Sequence, residues 1–345
     1  MTRPLPLGDA RRMPPHLSIA IVNFNSGHRL RQCLDALQRH PPSCPYEVLV
    51  VDNASTDGSA AFLANAPVPN VRLVPSPANL LFTGGVNVAH AEARGDLLLI
   101  LNPDMVAQEG AFDALVRHMD ADPGLGGIGG YTLTPEGRFE KYLNRFPTPY
   151  AVFLTRFVKG RRAERSPAHR RYHMVDTDFS VPQEVQQPAG GCLAVRRSLF
   201  AGQLLLDPAF GIYWSDVELA QKVWRSGHRI LVFPDARFIH DHAARNDPRG
   251  GVLLNLDYLV GSAVYFRRYG GWGAAVAAKC LFGAGFLASL LLVRLPMALR
   301  GAEAWDVWRS RAKSFFLYLA NRNTQLERAR KAAAASGALE KHPVL

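Results

Sequence analysis

Two acidic residues follow apolar segments where a strand would end, and carboxylates in such places can do chemistry. Asp52 stands in the sequence VVDNASTDGS, and Asp104 closes the sequence LLLILNPD. A carboxylate at the end of a strand can accept a hydrogen bond from a base or ribose hydroxyl, or bind a divalent cation that holds a diphosphate. Either acid alone could instead cap a helix or form a turn. The hypothesis of a ligand site therefore depends on the two acids together.

A glycine pair lies between these acids. The sequence NLLFTGGVN places Gly84 and Gly85 in a predicted turn just before a helix, where glycine lets backbone N–H groups approach an anion closely. An ordinary turn is the alternative. A second run, GLGGIG at 124–129, has the spacing of a dinucleotide-binding loop, but it follows a helix end and precedes YTL. We interpret it as a flexible turn or as small-residue packing, because the strand-then-helix context is missing.

Asp216 and His240, which lie further along the chain, could transfer a proton or bind a metal. Asp216 stands at or near a predicted helix start in YWSDVELAQ, beside Tyr213 and Trp214. Aromatic neighbours can raise the pKa of a carboxyl group and make it a general base, although a helix N-cap is an equal alternative. His240 follows a predicted strand and could ligate a metal; a surface or core histidine is the alternative.

Strands and helices that alternate along the chain would position these residues. Apolar, β-branched runs predict strands at 17–25, 46–55, 70–77 and 96–104, and helical spacing predicts helices between and after them. This alternation is typical of an α/β fold with a mostly parallel sheet covered on both faces. Ligands of such sheets bind at the carboxyl ends of the strands. Four polar residues are predicted there: Asn25, Asp52, Asn53 and Asp104.

Composition narrows the class of partner. The chain has 345 residues, is 48% hydrophobic and carries a net charge of +11, which favours an anionic partner such as a phosphorylated substrate, a nucleic acid or an acidic membrane surface. No helix-turn-helix, RNA-recognition or zinc-finger motif is present, so we expect no nucleic-acid partner. The four cysteines form no CxxC pair, which predicts reduced thiols in a cytosolic protein.

The chain divides into four predicted regions. Residues 1–16 lack an apolar core, so they are predicted to be a disordered lead-in and not a signal peptide. Residues 17–250 form the α/β domain, in which the basic sequence 155–173 is predicted to be a mobile loop. Residues 251–335 form a helical extension, and 336–345 a disordered tail. The uncharged run 280–293 is shorter than the ~20 residues of a membrane span, which favours an interfacial helix over a core helix.

The motifs together resemble a known family. VVDNASTDGS, GG-x-N, LNPD, GGCLAVRRSLF, SDVEL and a downstream histidine occur in the order and spacing of family 2 inverting glycosyltransferases of the GT-A fold, particularly the bacterial rhamnosyltransferase-like branch. The resemblance covers about residues 17–245. It implies that Asp216 is the general base and that Asp104 and His240 bind Mg²⁺ or Mn²⁺. It also implies a set of nucleotide- and donor-binding residues: Asn25, Asp52, Asn53, Asp57, Gly84, Gly85, Asn87, Asn102 and Asp104.

The resemblance further implies a reaction and its partners. The expected reaction transfers a sugar, by our hypothesis L-rhamnose from dTDP-rhamnose, to a saccharide or lipid-linked saccharide in polysaccharide synthesis. The expected enzyme is cytoplasmic and peripheral at the anionic inner face of the cell membrane. Two positions depart from the family pattern, because Asn102 and Ser215 stand where acids are usual. A non-catalytic nucleotide-binding protein therefore remains an alternative. A UDP-linked donor of galactofuranose, glucose or N-acetylhexosamine is another, because it would use the same motifs. A nucleotidyltransferase or a dehydrogenase is a further alternative. A nucleotidyltransferase would need a glycine-rich, basic phosphate loop immediately after the first strand, and NFNSGHRL at that place is a poor match.

Overall fold

The computed structural model describes residues 14–65, 68–158, 160–241, 248–298 and 302–335. The predicted C-terminal tail 336–345 and most of the predicted lead-in, residues 1–13, lie outside the described residues. The fold consists of one large sheet with helices on both faces, followed by a group of C-terminal helices.

The described strands form one nine-stranded sheet. Their bounds are β1 Leu17–Asn23, β2 Tyr46–Asp52, β3 Val71–Pro75, β4 Leu97–Leu101, β5 Met105–Ala107, β6 Leu125–Leu133, β7 Gln183–Glu184, β8 Cys192–Arg196 and β9 Arg229–His240. The order is β3-β2-β1-β4-β8-β6-β9-β5, with β7 also paired to β9. The pairs among β1 to β4 and the β6–β9 pair are parallel, whereas β5, β7 and β8 run antiparallel to their neighbours. The predicted α/β class is confirmed. The sheet is mixed, and six of its nine described strands run in the same direction.

Helices cover the sheet and continue beyond it. In the sheet domain they are α1 Arg29–Arg39, α2 Ala61–Asn65, α3 Leu81–Glu92, α4 Ala111–Ala121, α5 Pro149–Phe157, α6 Arg161–Glu164, α7 Pro167–Tyr172 and α8 Ser215–Arg225, with a short 3-10 turn at Arg197–Phe200. The C-terminal helices are α9 Pro248–Tyr269, α10 Gly271–Ala288, a π-helical turn Ser289–Arg294, α11 Leu295–Ala298, α12 Ala302–Leu319 and α13 Thr324–Ala335.

The central strands are buried on both faces. Successive side chains of a strand point to opposite faces, and Ile19 and Val50 accordingly join one core cluster while Ala20 and Leu49 join another. All five residues of β4 are buried. The continuous apolar runs in the sequence follow from this two-sided burial.

Two local predictions were wrong. Gly84 and Gly85 lie inside α3, not in a turn before it. The helix begins earlier because two other groups satisfy its first N–H groups: the side chain of nearby Asn79 accepts from Leu81 N, and the carbonyl of distant Gly211 accepts from Thr83 N. A side chain at Gly85 would collide with Val22, since an added Cβ would lie 2.6 Å from Val22 Cγ1. Glycine here serves close packing of the helix on β1.

The basic segment is also helical, not a mobile loop. It forms α5, α6 and α7. The Thr148 hydroxyl caps α5 by accepting from Ala151 N at 3.2 Å, and Phe157 packs so closely on α10 that a Cβ at Gly285 would lie 2.5 Å from Phe157 Cγ. Packing against the C-terminal helices therefore orders a segment whose charge suggested mobility.

The glycine run 124–129 lies mostly in β6, so small-residue packing, and not a turn, explains it. A Cβ added to Gly126 would lie 2.5 Å from Val223 Cγ1. The strand and the helix α8 can therefore approach only because the residue is glycine.

The C-terminal helices share a core with the sheet domain but also expose apolar residues. Trp214, Phe266, Phe282 and Tyr318 pack in one cluster. Within the described residues, the stretch Gly271–Leu292 is long and apolar enough to cross a membrane, judged by length and composition alone, with a mean hydropathy of 1.9. Only 17% of that stretch is buried, which does not fit the alternative of a core helix.

Candidate active site

A cavity of about 350 Å³ opens beyond the carboxyl end of β4. It collects four of the residues that the sequence singled out: Asn102, Asp104, Asp216 and His240. The other lining residues come from α3, the segment 142–144, the loop before β8 and the loop before α8; they include Phe82, Tyr142, Asn144, Gln187, Gly190, Gly191, Tyr213 and Ser215.

Strand pairing brings Asp104 and His240 together. The short strand β5 begins at Met105 and runs antiparallel to β9, so that Met105 pairs with His240, the last residue of β9. The Asp241 N–H donates to the Asp104 carbonyl at 3.0 Å. As a result, His240 Nε2 lies 3.6 Å from Asp104 Oδ2.

These two side chains fit a site for a divalent cation that a substrate would complete. Asp104 Oδ1 is buried and accepts no hydrogen bond from the described residues. In that part of the chain, no group of three or more His, Cys, Asp or Glu is arranged to hold a metal ion. Glu140 does not complete such a group, because its Oε2 lies 3.3 Å from His240 Nδ1, on the other side of the imidazole ring. Mg²⁺ is commonly held by one or two carboxylates together with substrate phosphates.

Asp216 lies in the first turn of α8, where its environment makes it a stronger base. Its Oδ1 accepts a hydrogen bond from Val217 N at 2.9 Å. Burial raises the pKa of the Asp216 carboxyl, against hydrogen bonds from backbone N–H groups that lower it. The residue that precedes α8, Trp214, has a φ of +72°, a left-handed conformation that costs a bulky residue ~1–3 kcal/mol and is found mainly where surrounding structure enforces it.

Two glycines before β8 allow this arrangement. A Cβ at Gly190 would lie 2.7 Å from Asp216 Cβ, and one at Gly191 would lie 3.0 Å from Asn102 Nδ2. The Gly191 carbonyl accepts from Asn102 N at 2.8 Å. The loop can therefore approach both sides of the cavity only because these positions lack side chains.

A second cluster forms at the ends of β1 and β2. The buried Asn23 amide nitrogen lies 2.9 Å from Asp52 Oδ1 and fixes that carboxylate. Asn25 adopts a φ of +49° and its Oδ1 accepts from Thr56 N at 2.8 Å. Asp57 accepts from Gly27 N and Ser59 N, each at 2.9 Å, and these bonds hold the pKa of Asp57 below its usual value despite some desolvation. The two loops thus form one rigid edge.

Two predicted donor-binding residues use their side chains inside the protein. Asn53 Oδ1 accepts from Leu80 N, and its Nδ2 donates to Asn79 Oδ1 and to the Leu81 carbonyl. Asn87 exchanges two hydrogen bonds of 2.9 Å with the backbone of Leu206. Both amides are thus engaged within the protein, and neither lines the cavity that holds Asp104 and Asp216.

Sequence reasoning missed three polar residues near these clusters. Asn23 sits at the end of β1 and anchors Asp52; its position at a strand end was the available signal. Glu140 lies beside His240. Asp257, a buried acid in the apolar helix α9, accepts hydrogen bonds from the backbone of the loop before α8. For Asp257, the available signal was a single acidic residue among the apolar residues of a predicted helix.

Comparison with known proteins agrees with this geometry. Residues 18–202 match the profile of the family described as Glycosyl transferase family 2. The chain is 29% identical over 293 residues to an N-acetylglucosaminyl-diphospho-decaprenol L-rhamnosyltransferase of Mycobacterium tuberculosis, across 81% of this chain and 93% of the relative. It is 27% identical over 279 residues to the O-antigen biosynthesis protein RfbC of Myxococcus xanthus, across 77% of this chain and 20% of that protein.

Solved structures share the fold. The mannosyltransferase PcManGT of Pyrobaculum calidifontis, in complex with GDP-Man and Mn²⁺, superposes with a TM-score of 0.52 at 18% identity, across 94% of this chain and 87% of that one. GalNAc-T7 with UDP, GalNAc and Mn²⁺ has a TM-score of 0.53 at 15% identity, across 72% of this chain and 47% of that one. Because the profile match spans more than half of the 345 residues, the chain belongs to glycosyl transferase family 2.

Proposed function

We propose that this family 2 glycosyltransferase is an inverting enzyme that transfers L-rhamnose from dTDP-rhamnose to a lipid-diphosphate-linked saccharide during the synthesis of a cell-surface polysaccharide. The observation that carries the proposal is that Asp104, Asp216 and His240 line one cavity. The mycobacterial relative is named for rhamnosyl transfer to N-acetylglucosaminyl-diphospho-decaprenol, which supports this donor and acceptor. The Myxococcus relative is named for O-antigen biosynthesis.

The proposed chemistry is a single displacement with Asp216 as the base. The acceptor hydroxyl oxygen attacks the anomeric carbon while the bond to the nucleoside diphosphate breaks, so the configuration at that carbon inverts. Asp216 takes the hydroxyl proton. Its raised pKa strengthens the carboxylate as a proton acceptor. The transition state has oxocarbenium character, and the departing diphosphate gains negative charge.

The nucleoside is proposed to bind at the edge formed by β1 and β2. Asn23 engages Asp52 Oδ1, and this leaves Oδ2 of the same carboxylate to face a base or ribose donor. Asn25 and Asp57 shape the neighbouring loops through their backbone contacts. Asn102 lines the cavity and is proposed to contact the donor sugar. Three of the remaining predicted positions act through packing or loop anchoring: Asn53, Gly85 and Asn87. Gly84 lies next to Gly85 in α3.

Asp104 and His240 are proposed to hold Mg²⁺ or Mn²⁺ together with the donor diphosphate. Asp104 Oδ1, which is buried without a hydrogen bond from the described residues, fits this role, and both structural neighbours are complexes with Mn²⁺. When bound, the cation supplies positive charge that stabilises the leaving diphosphate.

We propose that the enzyme works on the cytoplasmic side of an anionic membrane. The exposed apolar side chains of α10 and the following π-helical turn include Trp272, Val276, Leu291 and Leu292. Of the basic helices, α5 packs on α10 through Phe157, and α7 packs on α5. An apolar face beside arginines favours binding at an anionic lipid surface, which is where a lipid-linked acceptor is found.

A panel of nucleotide sugars tests the reaction. The protein is incubated with dTDP-rhamnose and with UDP-linked galactofuranose, glucose and N-acetylhexosamine, with Mg²⁺, Mn²⁺ or EDTA, and the released nucleoside diphosphate is measured. We expect release from dTDP-rhamnose that EDTA abolishes. If only a UDP-sugar released its nucleoside diphosphate, the proposed donor would be wrong, whereas the proposal of a glycosyltransferase would stand. No release, together with no thermal shift by any nucleotide, would favour a non-catalytic nucleotide-binding protein.

A further inference from the structure

The loop that leads into α8 is anchored by a buried carboxylate of the C-terminal helices. Asp257 of α9 is 1% exposed. Its Oδ2 accepts from Tyr213 N at 2.9 Å and from Ile212 N at 3.2 Å. A Cβ at Gly211 would lie 2.7 Å from Asp257 Oδ1, so glycine is needed where the loop meets this carboxylate. Tyr213 itself lines the cavity.

The other oxygen of Asp257 is also engaged. Asn323, the residue before α13, donates from Nδ2 to Asp257 Oδ1 at 2.6 Å, and its own Oδ1 accepts from Leu326 N at 3.1 Å. The three partners thus form a chain from the start of α13, through α9, to the backbone before α8. A carboxylate that accepts several hydrogen bonds in a buried site holds its partners firmly.

Aromatic packing supports the same loop from the same side. Trp214 Nε1 donates to the Tyr258 carbonyl at 2.7 Å, and its ring packs on Tyr265 and Phe266 with centroids 5.1 and 5.6 Å apart. Trp214 needs such support because of its left-handed backbone. Asp216 follows two residues later, so the position of Asp216 depends on contacts supplied by α9.

We infer that Asp257 and Asn323 are positioning residues, which hold the loop 211–214 so that Asp216 faces the cavity. The inference depends on the proposed role of Asp216 as the base. It makes the C-terminal helices part of the catalytic apparatus and not only a membrane-facing extension. The side chains contact the backbone of the loop, so they act through Asp216 and not on the substrate.

The pair can be tested by exchanging its two groups. In Asp257→Asn, the new side-chain nitrogen replaces one of the two accepting oxygens. This N–H donor then faces another donor, either the loop N–H groups or Asn323 Nδ2. In Asn323→Asp, two carboxylate oxygens face each other. The double variant Asp257→Asn/Asn323→Asp restores every hydrogen bond, because the amide introduced in α9 would donate to the carboxylate introduced before α13 and still accept from the loop. The control is Glu327→Gln, an exposed carboxylate in α13 that pairs with Arg322.

Two measurements decide the inference. We expect each single variant to lower kcat for donor turnover by about tenfold or more, with the donor KM within about threefold, and the double variant to recover most of the loss. Amide exchange of residues 211–216 should be faster in the single variants and near wild type in the double variant and in Glu327→Gln.

The outcomes separate the inference from the proposed function. Unchanged exchange and unchanged kcat in the single variants would overturn the inference, as would a double variant whose losses simply add. Faster exchange with unchanged kcat would reduce the pair to a structural role and also overturn it. If the wild-type protein turned over no donor, the proposed function would fail and the positioning role would fail with it, whereas the exchange data would still report on the anchoring of the loop.

Discussion

All five residues of β4 are buried, whereas Trp272, Leu292 and Phe316 of the C-terminal helices are 69%, 77% and 67% exposed. The sheet domain places its apolar residues between helices, as a protein folded in water must. The C-terminal helices bury one side against that domain and present the other outward. Large exposed apolar patches mark interaction surfaces. This exposure supports the proposal that the C-terminal helices bind an anionic membrane surface.

The two regions nevertheless meet at the candidate active site. The sheet edge supplies Asp104 and His240 through strand register, whereas the loop before Asp216 is supported by α9. A substitution at the sheet edge should therefore change ligand chemistry, and one on the outer face of the helices should change where the enzyme binds.

Asp104→Asn should cause the largest loss among substitutions at the sheet edge. Removing this carboxylate should weaken Mn²⁺ binding and lower donor turnover by about 100-fold, because a cation on the leaving diphosphate is worth several kcal/mol. Mn²⁺ binding can be followed by electron paramagnetic resonance in the presence of a nucleoside diphosphate. Asp96→Asn, at the opposite end of β4 with a side chain 81% exposed, is the matched control. If the Asp104→Asn protein bound Mn²⁺ as tightly as wild type, Asp104 would be excluded as a ligand of the cation.

Gly190→Ala should lower kcat by about tenfold. The added methyl group would lie 2.7 Å from Asp216 Cβ, and displacing a reacting group by less than 1 Å is enough for such a loss. Circular dichroism and kcat would be measured together. Gly273→Ala, where an added Cβ meets nothing within 4 Å, should match wild type. A Gly190→Ala enzyme with normal kcat would show that the loop relaxes without moving Asp216.

Val276→Glu/Leu292→Glu should weaken binding to anionic vesicles by about tenfold and leave the melting temperature unchanged. Each side chain is exposed in the protein and would be buried in the lipid interface. Co-sedimentation with vesicles of phosphatidylglycerol and phosphatidylcholine at moderate salt gives the comparison. Val181→Glu changes an exposed residue of the sheet domain and should bind like wild type. Equal sedimentation of all three proteins would leave the apolar face without a lipid partner.

Asp216→Asn should have a small effect on stability, and this effect should be a rise in the melting temperature. Because burial raises the pKa of Asp216, the folded protein binds a proton at this carboxyl group more readily than the unfolded chain does. The free energy of unfolding therefore falls as the pH rises from the pKa of the unfolded chain to that of the folded protein. The amide has no such cost. The melting temperature of the variant should therefore equal or exceed that of wild type at neutral pH, and the two should converge in acid. If Asp216→Asn melted below wild type at neutral pH and the two proteins melted together in acid, the raised pKa would be contradicted.

The sequence predicted those parts of the site that depend on local pattern. The apolar run before Asp104 identified a buried strand, and the start of α8 located Asp216. Patterns of this kind need only the period of the side chains along the chain. They also sufficed for the α/β fold class.

The remaining parts depend on contacts between distant residues. The early start of α3 requires the Gly211 carbonyl, and the anchoring of the loop before α8 requires Asp257 and Asn323, which lie 66 positions apart. The sequence 155–173 is helical because α5 packs on α10 and α7 packs on α5, which outweighs a charged, loop-like composition. Local propensity carries no information about such partners.

The most direct test of the account is the rate of sugar transfer by wild type and Asp216→Asn. The donor would be the nucleotide sugar that the panel identifies, and the acceptor a short-chain polyprenyl-diphosphate-linked saccharide in vesicles. Asp235→Asn, an exposed carboxylate paired with Arg117, is the control. The account predicts a loss of about 10²–10⁴-fold in Asp216→Asn, the size of a general-base contribution, and none in Asp235→Asn. Transfer by Asp216→Asn at the wild-type rate would contradict it.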